Sequence, residues 1–420
     1  MNSLGGYKET GIDWISEIPV DWNISRSKFL FKNKSLKNFS DEPLLSVTQL
    51  DGVVVRSDSN RSVWNPADDV SGYKLIEPGD FVISLRSFEG GLELSDLRGL
   101  VSPAYTVLQP IRNIDDHYFR WLMKSYQFII ELNKHVTGIR QGKNIGWDDF
   151  SNIYLTTPPS DEQKLISRYL DKKTEQIDRL VEKIKKKIEL LKEQRTSLIN
   201  QCVTKGLDTN VEMKDSGVKW IGKIPKHWKF RKLKHFFRYK KGSLGQQLTS
   251  TFISENLGQF PVYSGQTENN GVLGMWDNHE FDYSDDVIFC TTVGAKLMTT
   301  RVVSGKFSLS QNCLIMIPLS NEIKSKYINY FLMYDFKIRK DLLPSILQPS
   351  LRMEDLDQYC IPVPPISEQS SIIEYLVSLM DNSEELIRKL ETKETLLKKY
   401  RQSLISSAVT GKVRVTEDMI

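Results

Sequence analysis

No apolar run in the 420-residue chain reaches the ~18 residues of a membrane span, and the opening MNSLGGYKETGIDW has no apolar signal core. The chain is therefore expected to be cytoplasmic, with no membrane partner. Cysteine is scarce: Cys202, Cys290, Cys313 and Cys360 form no C-x-x-C pair, which argues against a disulfide frame or a zinc site. The five histidines (His117, His135, His227, His235, His279) lack metal-ligand spacing. No G-x-x-x-x-G-K-[ST] loop is present to cradle a triphosphate, and no G-x-G-x-x-G follows a strand. Nor is there an excess of one charge. A net charge of +4 with 26% charged and 40% apolar residues describes an ordinary globular protein, and its length suits two to four domains. These absences favour a non-catalytic role, with no metal and no cofactor bound by this chain.

What the sequence does hold is a duplication. GIDWISEIPVDW (Gly11 to Trp22) returns as GVKWIGKIPKHW (Gly217 to Trp228), 206 positions later. The same shift carries Pro158, Glu162, Gln163 and Tyr169 onto Pro364, Glu368, Gln369 and Tyr375. It also carries Arg195, Ser197, Leu198 and Ile199 onto Arg401, Ser403, Leu404 and Ile405. A period that long is not a solenoid repeat, which runs ~20 to 50 residues; the whole chain is a tandem of two halves. Between the matching frames the interiors, 30 to 150 and 236 to 356, share little beyond short strand patterns. Each interior has one helical stretch rich in aromatics at helical spacing, which reads as core.

After each double proline the pattern turns helical. Ser160 and Gln163 suit a capping box, and no breaker follows before Gly206. Apolar residues then recur at steps of three and four, giving Ile177, Leu180, Ile184, Ile188, Leu191 and Leu198 as packing positions. The second stretch runs from about Ser367 to Gly411 and offers Leu386, Leu390, Leu397 and Leu404. Helices of ~45 residues are too long for one compact domain. The expectation is that the two pack antiparallel as a coiled coil. The fold class is thus α/β (α+β), a pseudo-two-fold tandem. The domains are 1–158, a central helix 159–206, 207–364, a C-terminal helix 365–412 and a tail 413–420.

The strongest local charge is KHWKFRKLKHFFRYKK, Lys226 to Lys241, with eight basic residues and no acid. Its Lys229, Arg231, Lys232, Lys234, Lys240 and Lys241 are candidate DNA contacts, basic side chains interleaved with aromatics. A basic solvated edge over core aromatics explains the same pattern equally well. In the first half, TGIRQGKN offers Arg140, Gln141, Lys143 and Asn144, residue types that suit base edges in a major groove. The equivalent loop, PSILQPSL, has Gln348 and Ser350; YSGQTENN adds Gln266 and Thr267, and SLSQN adds Gln311 and Asn312. TTPPS around Pro158 looks superficially like the Pro-Pro element with which amino-methyltransferases hold a flipped base. It lacks both the polar acceptor and the aromatic residue that the chemistry needs.

The doubled W-I-x-x-I-P-x-x-W, the doubled PP-x-x-EQ with its long helix, and the unlike interiors resemble the specificity (S) subunits of type I restriction–modification systems. The resemblance covers essentially the whole chain. It implies two target-recognition domains, each reading half of a bipartite, asymmetric double-stranded DNA site, with the helices as spacer. It also implies docking of two adenine-N6 methyltransferase (M) subunits that use S-adenosylmethionine. Two restriction (R) subunits that use ATP and Mg2+ are implied as well. A coiled-coil adaptor without DNA specificity is the alternative reading.

Overall fold

The computed structural model describes residues 6–49, 51–58, 70–85, 87–134, 145–266, 268–294, 296–341 and 350–420. The chain divides into two compact units. The first comprises Met1–Lys185 with Glu391–Ile420, the second Lys186–Leu390. Each unit therefore contains the start of one long helix and the end of the other. The first helix spans Ser160–Lys205 and the second Ile366–Val409. None of the described helices is long and apolar enough to cross a membrane.

In the first unit a hairpin, Tyr7–Ile12 with Ile15–Pro19, leads into Asn23–Arg26, which pairs antiparallel with Tyr154–Thr157. The interior holds a four-stranded sheet in the order Phe31–Lys34, Thr106–Pro110, Phe81–Ile83, Glu93–Leu94. In the second unit Lys229–Lys232 pairs with Cys360–Val363, so Asn23↔Thr157 becomes Lys229↔Val363, both partners moved by 206 positions. Its interior is a six-stranded sheet: Phe237–Lys241, Cys313–Pro318, Phe281–Thr291, Thr300–Leu309, Leu257–Tyr263, Val272–Trp276. One pair in it, Leu257–Tyr263 with Thr300–Leu309, is parallel. The frame repeats in register while the sheets inside differ in strand number and direction.

The repeated motifs build the frame through burial. Ile15, Ile18 and Trp22 are buried in the first core, as are Ile221, Ile224 and Trp228 in the second. The helical aromatics Tyr118, Phe119 and Phe128, and their counterparts Tyr327, Phe331 and Phe336, are also core. The first core takes Ile166 and Leu170 from one long helix and Ile405 and Val409 from the other. The second takes Ile372 and Leu376 with Ile199 and Val203.

PP-x-x-EQ has a definite role in this frame. Trp22 Nε1 donates to Glu162 Oε2 (2.9 Å), and Trp228 Nε1 donates to Glu368 Oε2 (3.0 Å). The glutamine that follows is buried and bridges backbone. Gln163 donates to Pro158 O (2.8 Å) and accepts from Asp115 N (3.1 Å). Gln369 donates to Pro364 O and Glu322 O (both 3.0 Å) and accepts from Lys324 N (2.8 Å). The capping box expected of Gln163 is thus replaced by a longer-range bond set, because the side chain turns into the core rather than back along its own helix. Gly206 (φ +80°) and Gly411 (φ +74°) end the two helices in the left-handed region, where a glycine is least strained. A Cβ on Gly206 would stand 2.9 Å from Glu368 Oε1 and 3.2 Å from the Trp228 ring.

Along the first long helix the buried stripe is Leu170, Thr174, Ile177, Val181, Ile184 and Ile188. Leu191 and Leu198 are half-buried, as are Leu390, Leu397 and Leu404 on the second helix. Two expected packing residues differ: Leu180 is 47% exposed and Leu386 38% exposed. Val181 and Ile387 take the buried positions instead. At 3.6 residues per turn each exposed leucine stands about 100° around the helix from that neighbour. In the first unit Arg401 Nε donates to Asp178 Oδ1 (3.0 Å), and in the second Arg195 lies 3.9 Å from Glu384. Asp178 and Glu384, like Arg195 and Arg401, are 206 positions apart, so one acid–arginine pair occurs in both units with the helices exchanged.

Candidate nucleic-acid interface

The basic run Lys226 to Lys241 does not form one patch. Lys229, Arg231 and Lys232 lie on the frame strand Lys229–Lys232, Lys234 on the turn Leu233–His235, and Lys240 and Lys241 on the outer sheet strand Phe237–Lys241. Its aromatics Trp228, Phe236 and Phe237 are buried, and Phe230 and Tyr239 are half-buried against the same core, so the aromatic side of the run holds the core while most of its cations are exposed. Lys232 Nζ donates to Gln358 Oε1 (2.7 Å), and Lys240 Nζ sits 5.0 Å from the Phe281 ring centre. Lys229 lines a cleft of about 580 Å³ with His227, Asn321, Glu322 and the Val363–Ile366 segment at the start of the second long helix.

The far end of the run reaches a different place. Lys241 lines a polar cleft of about 650 Å³ in the second unit, together with Gln311, Asn312 and Ser350. Four sequence candidates from three separated stretches thus meet at one site. The walls are tied by backbone: Thr292 N donates to Asn312 O (2.8 Å), Leu351 N donates to Thr292 O (2.8 Å), and Val293 bridges Ser350. Asn312 takes φ +65°, which turns the chain between two central strands and leaves its side chain exposed. Polar groups carried on a hydrogen-bonded rim are held in place before any ligand arrives, which is what reading a base edge requires.

The structure adds residues the sequence reading passed over. Ser243 and Gln246, from the glycine-bracketed stretch GSLGQQ directly after the basic run, line the cleft, as do Arg352 and Glu354 just beyond the sequence PSILQPSL. The signal was available, since serine and glutamine in a short polar stretch are the residue types that singled out SLSQN. Gln266 behaves differently from expectation: its side-chain N–H donates to Val272 O, and its backbone carbonyl accepts from Arg301 (3.5 Å). That side chain closes its own loop and is not free for a base. Arg140, Gln141, Lys143, Asn144, Thr267 and Gln348 lie outside the described residues.

Elsewhere the ionisable groups are structural. Burial pushes the Asp335 carboxyl up to about 6 against the opposing pull of Arg339, whose guanidinium stacks 4.1 Å from the Tyr359 ring centre. Burial likewise pushes Glu93 up to about 6 in spite of Lys124, 2.6 Å away. Burial also raises the Cys202 and Cys313 thiols to about 11, which makes them poor nucleophiles. Among the described residues no His/Cys/Asp/Glu group is arranged to hold a metal.

Comparison with known proteins agrees with this architecture. The family model described as type I restriction modification DNA specificity domain matches residues 66–190 and again 225–395. A putative type I restriction enzyme MjaX specificity subunit of Methanocaldococcus jannaschii is 23% identical over 428 residues, covering 96% of both chains. The MjaVIII specificity subunit of the same organism is 24% identical over 364 residues, covering 81% of this chain and 80% of its own. By fold, the chain is similar to one solved in a study of complex assembly and conformational transition of the type I R-M system. The TM-score is 0.70 at 15% identity, covering 94% of this chain and 99% of that one. It is also similar to the HsdS subunit from Thermoanaerobacter tengcongensis, with a TM-score of 0.57 at 16% identity, covering 96% and 100%. With two matches that together take in well over half its length, the chain belongs to the type I restriction–modification DNA specificity family.

Proposed function

We propose that this chain reads a bipartite, asymmetric site on double-stranded DNA, one half-site per unit, and holds two methyltransferase and two restriction subunits at that site. As a specificity subunit it is a non-catalytic component. Methyl transfer with S-adenosylmethionine, and ATP- and Mg2+-dependent cleavage, belong to the partners, in the cytoplasm where the DNA lies. The observation that carries the reading is the repeated frame around unlike sheets, since one scaffold with two different interiors suits two different half-sites. The polar cleft that Gln311 and Asn312 line supports base-edge contact by the second unit, with Lys241 suited to a phosphate beside it. The exposed Lys229, Arg231 and Lys234 suit phosphates, which give affinity without sequence preference.

In the same proposal the two long helices form an antiparallel coiled coil that sets the unspecified gap between half-sites. The buried steps of three and four, and the acid–arginine pair present in both units, support that packing. Two readers touch one face of a duplex when their half-sites lie about 34 to 36 Å apart. Methylome sequencing of the host with and without the gene tests the function: one two-part adenine motif should vanish on deletion. Removing one heptad between Ile177 and Ile184 should shorten the gap and leave both half-sites legible. An unaltered gap would refute the spacer role. A gel shift with random duplexes that showed no fall in affinity with salt would favour an adaptor instead.

A further inference from the structure

The polar cleft of the second unit carries groups that a simple phosphate cradle would not. Lys241 and Arg352 supply positive charge, and the exposed carboxylate of Glu354 lines the same cleft. An acid beside a phosphate is repulsive, and its cost grows as water is excluded. A base edge has a different demand. Guanine presents two acceptors, O6 and N7, to the major groove, and its cytosine presents an amino donor. A guanidinium fork and a carboxylate lining one cleft match that pattern of acceptors and donor.

Arg352 is also placed to act. Its backbone N–H is fixed by Asp355 Oδ2 (2.8 Å), and its predecessor Leu351 is fixed by Thr292 O. Its guanidinium has no bonding partner among the described residues. The main chain is therefore anchored while the five N–H donors of the side chain remain unused. Compare Arg339, which is committed to Asp335 and Tyr359, and Arg301, whose guanidinium packs against Gly271 and the Phe289 ring.

We propose that Arg352 is a specificity-determining residue of the second unit. It donates bidentately to guanine O6 and N7 in one position of its half-site, and Glu354 accepts from a cytosine amino group. The assignment rests on the reading of the chain as a DNA specificity subunit.

The test is methylome sequencing of a host carrying the full system with wild-type chain, R352A, R352K or K241A. The wild type should give a two-part motif. R352A and R352K should both relax one G·C position, in one half-site only, with discrimination there falling about ten- to a hundredfold. R352K separates fork from charge, because lysine keeps the charge and cannot form the bidentate pair. K241A serves as the comparison within the same cleft and should lower methylation evenly over all sites without relaxing any position. If R352K retains the wild-type motif while R352A lowers methylation at every site equally, Arg352 is a phosphate contact and the proposal is overturned. An unchanged motif in both variants overturns it too. If R352A fails to accumulate, R352K alone decides by the same criterion. A wild-type chain that yields no two-part motif overturns the underlying reading, and this assignment with it.

Discussion

Replacing Gln369 with leucine keeps the volume and removes every polar atom from a fully buried side chain. Three backbone groups then lose their partner: the carbonyls of Pro364 and Glu322 and the N–H of Lys324. A buried donor or acceptor left unpaired costs about 1 to 3 kcal/mol. Only the Pro364 bond is fully buried, and water can in part re-pair Glu322 O and Lys324 N, so the expected loss is about 2 to 4 kcal/mol. For a unit of this size each kcal/mol lowers Tm by about 2 to 4 °C, which puts the shift near 10 °C. Differential scanning calorimetry would read it as a fall in the transition of the second unit. Gln369→Glu should fare no better, since a carboxylate would face the two carbonyls and has no proton to give. A surface capping residue would cost only about 1 kcal/mol. A shift under about 3 °C for Gln369→Leu would be no more than a surface cap is worth and would refute the bridge.

Two further outcomes follow from the same geometry. Asp335 is raised to about 6 by burial from an ordinary value of 3.8, so between those values the folded chain holds more protons than the unfolded one. Stability from this group is present at the acid end of that window and falls as pH rises through it. Relative to Asp335→Asn, wild-type Tm should drop between about pH 4 and pH 6, and parallel Tm curves for the two proteins would contradict the assignment. In the first unit, a double-mutant cycle on Asp178 and Arg401 should give a coupling of about 0.5 to 1 kcal/mol, because both side chains are partly exposed. A coupling of zero would show that the pair adds nothing to helix register.

Which parts of this were legible beforehand can be seen residue by residue. The duplicated frame could be read directly, because buried tryptophans and isoleucines, a helix-starting double proline and terminating glycines are local requirements that recur wherever the same strand pair and helix are built. The extent of both long helices followed from uninterrupted steps of three and four. The partner of Gln163 could not be read, since Asp115 lies 48 positions earlier and only tertiary folding brings it near. Nor could the stripe be placed to the residue: the spacing admits Leu180 as readily as Val181, and the choice falls on whichever meets packed atoms.

The site shows the same division. Residue type marked Lys241, Gln311, Asn312 and Ser350 separately, as fragments of a polar surface. That they share one cleft, that Arg352 and Glu354 join them, and that Gln266 is committed elsewhere depends on sheet order. The sheet sets the strand Phe237–Lys241 beside Cys313–Pro318 although some seventy positions separate them. By itself the sequence determined the tandem plan, the long helices and the likeness to the specificity family, because each depends on patterns near in the chain or repeated along it. The tertiary structure alone decided which side chains converge and which are already bonded, because hydrogen-bond partners are chosen by proximity in space.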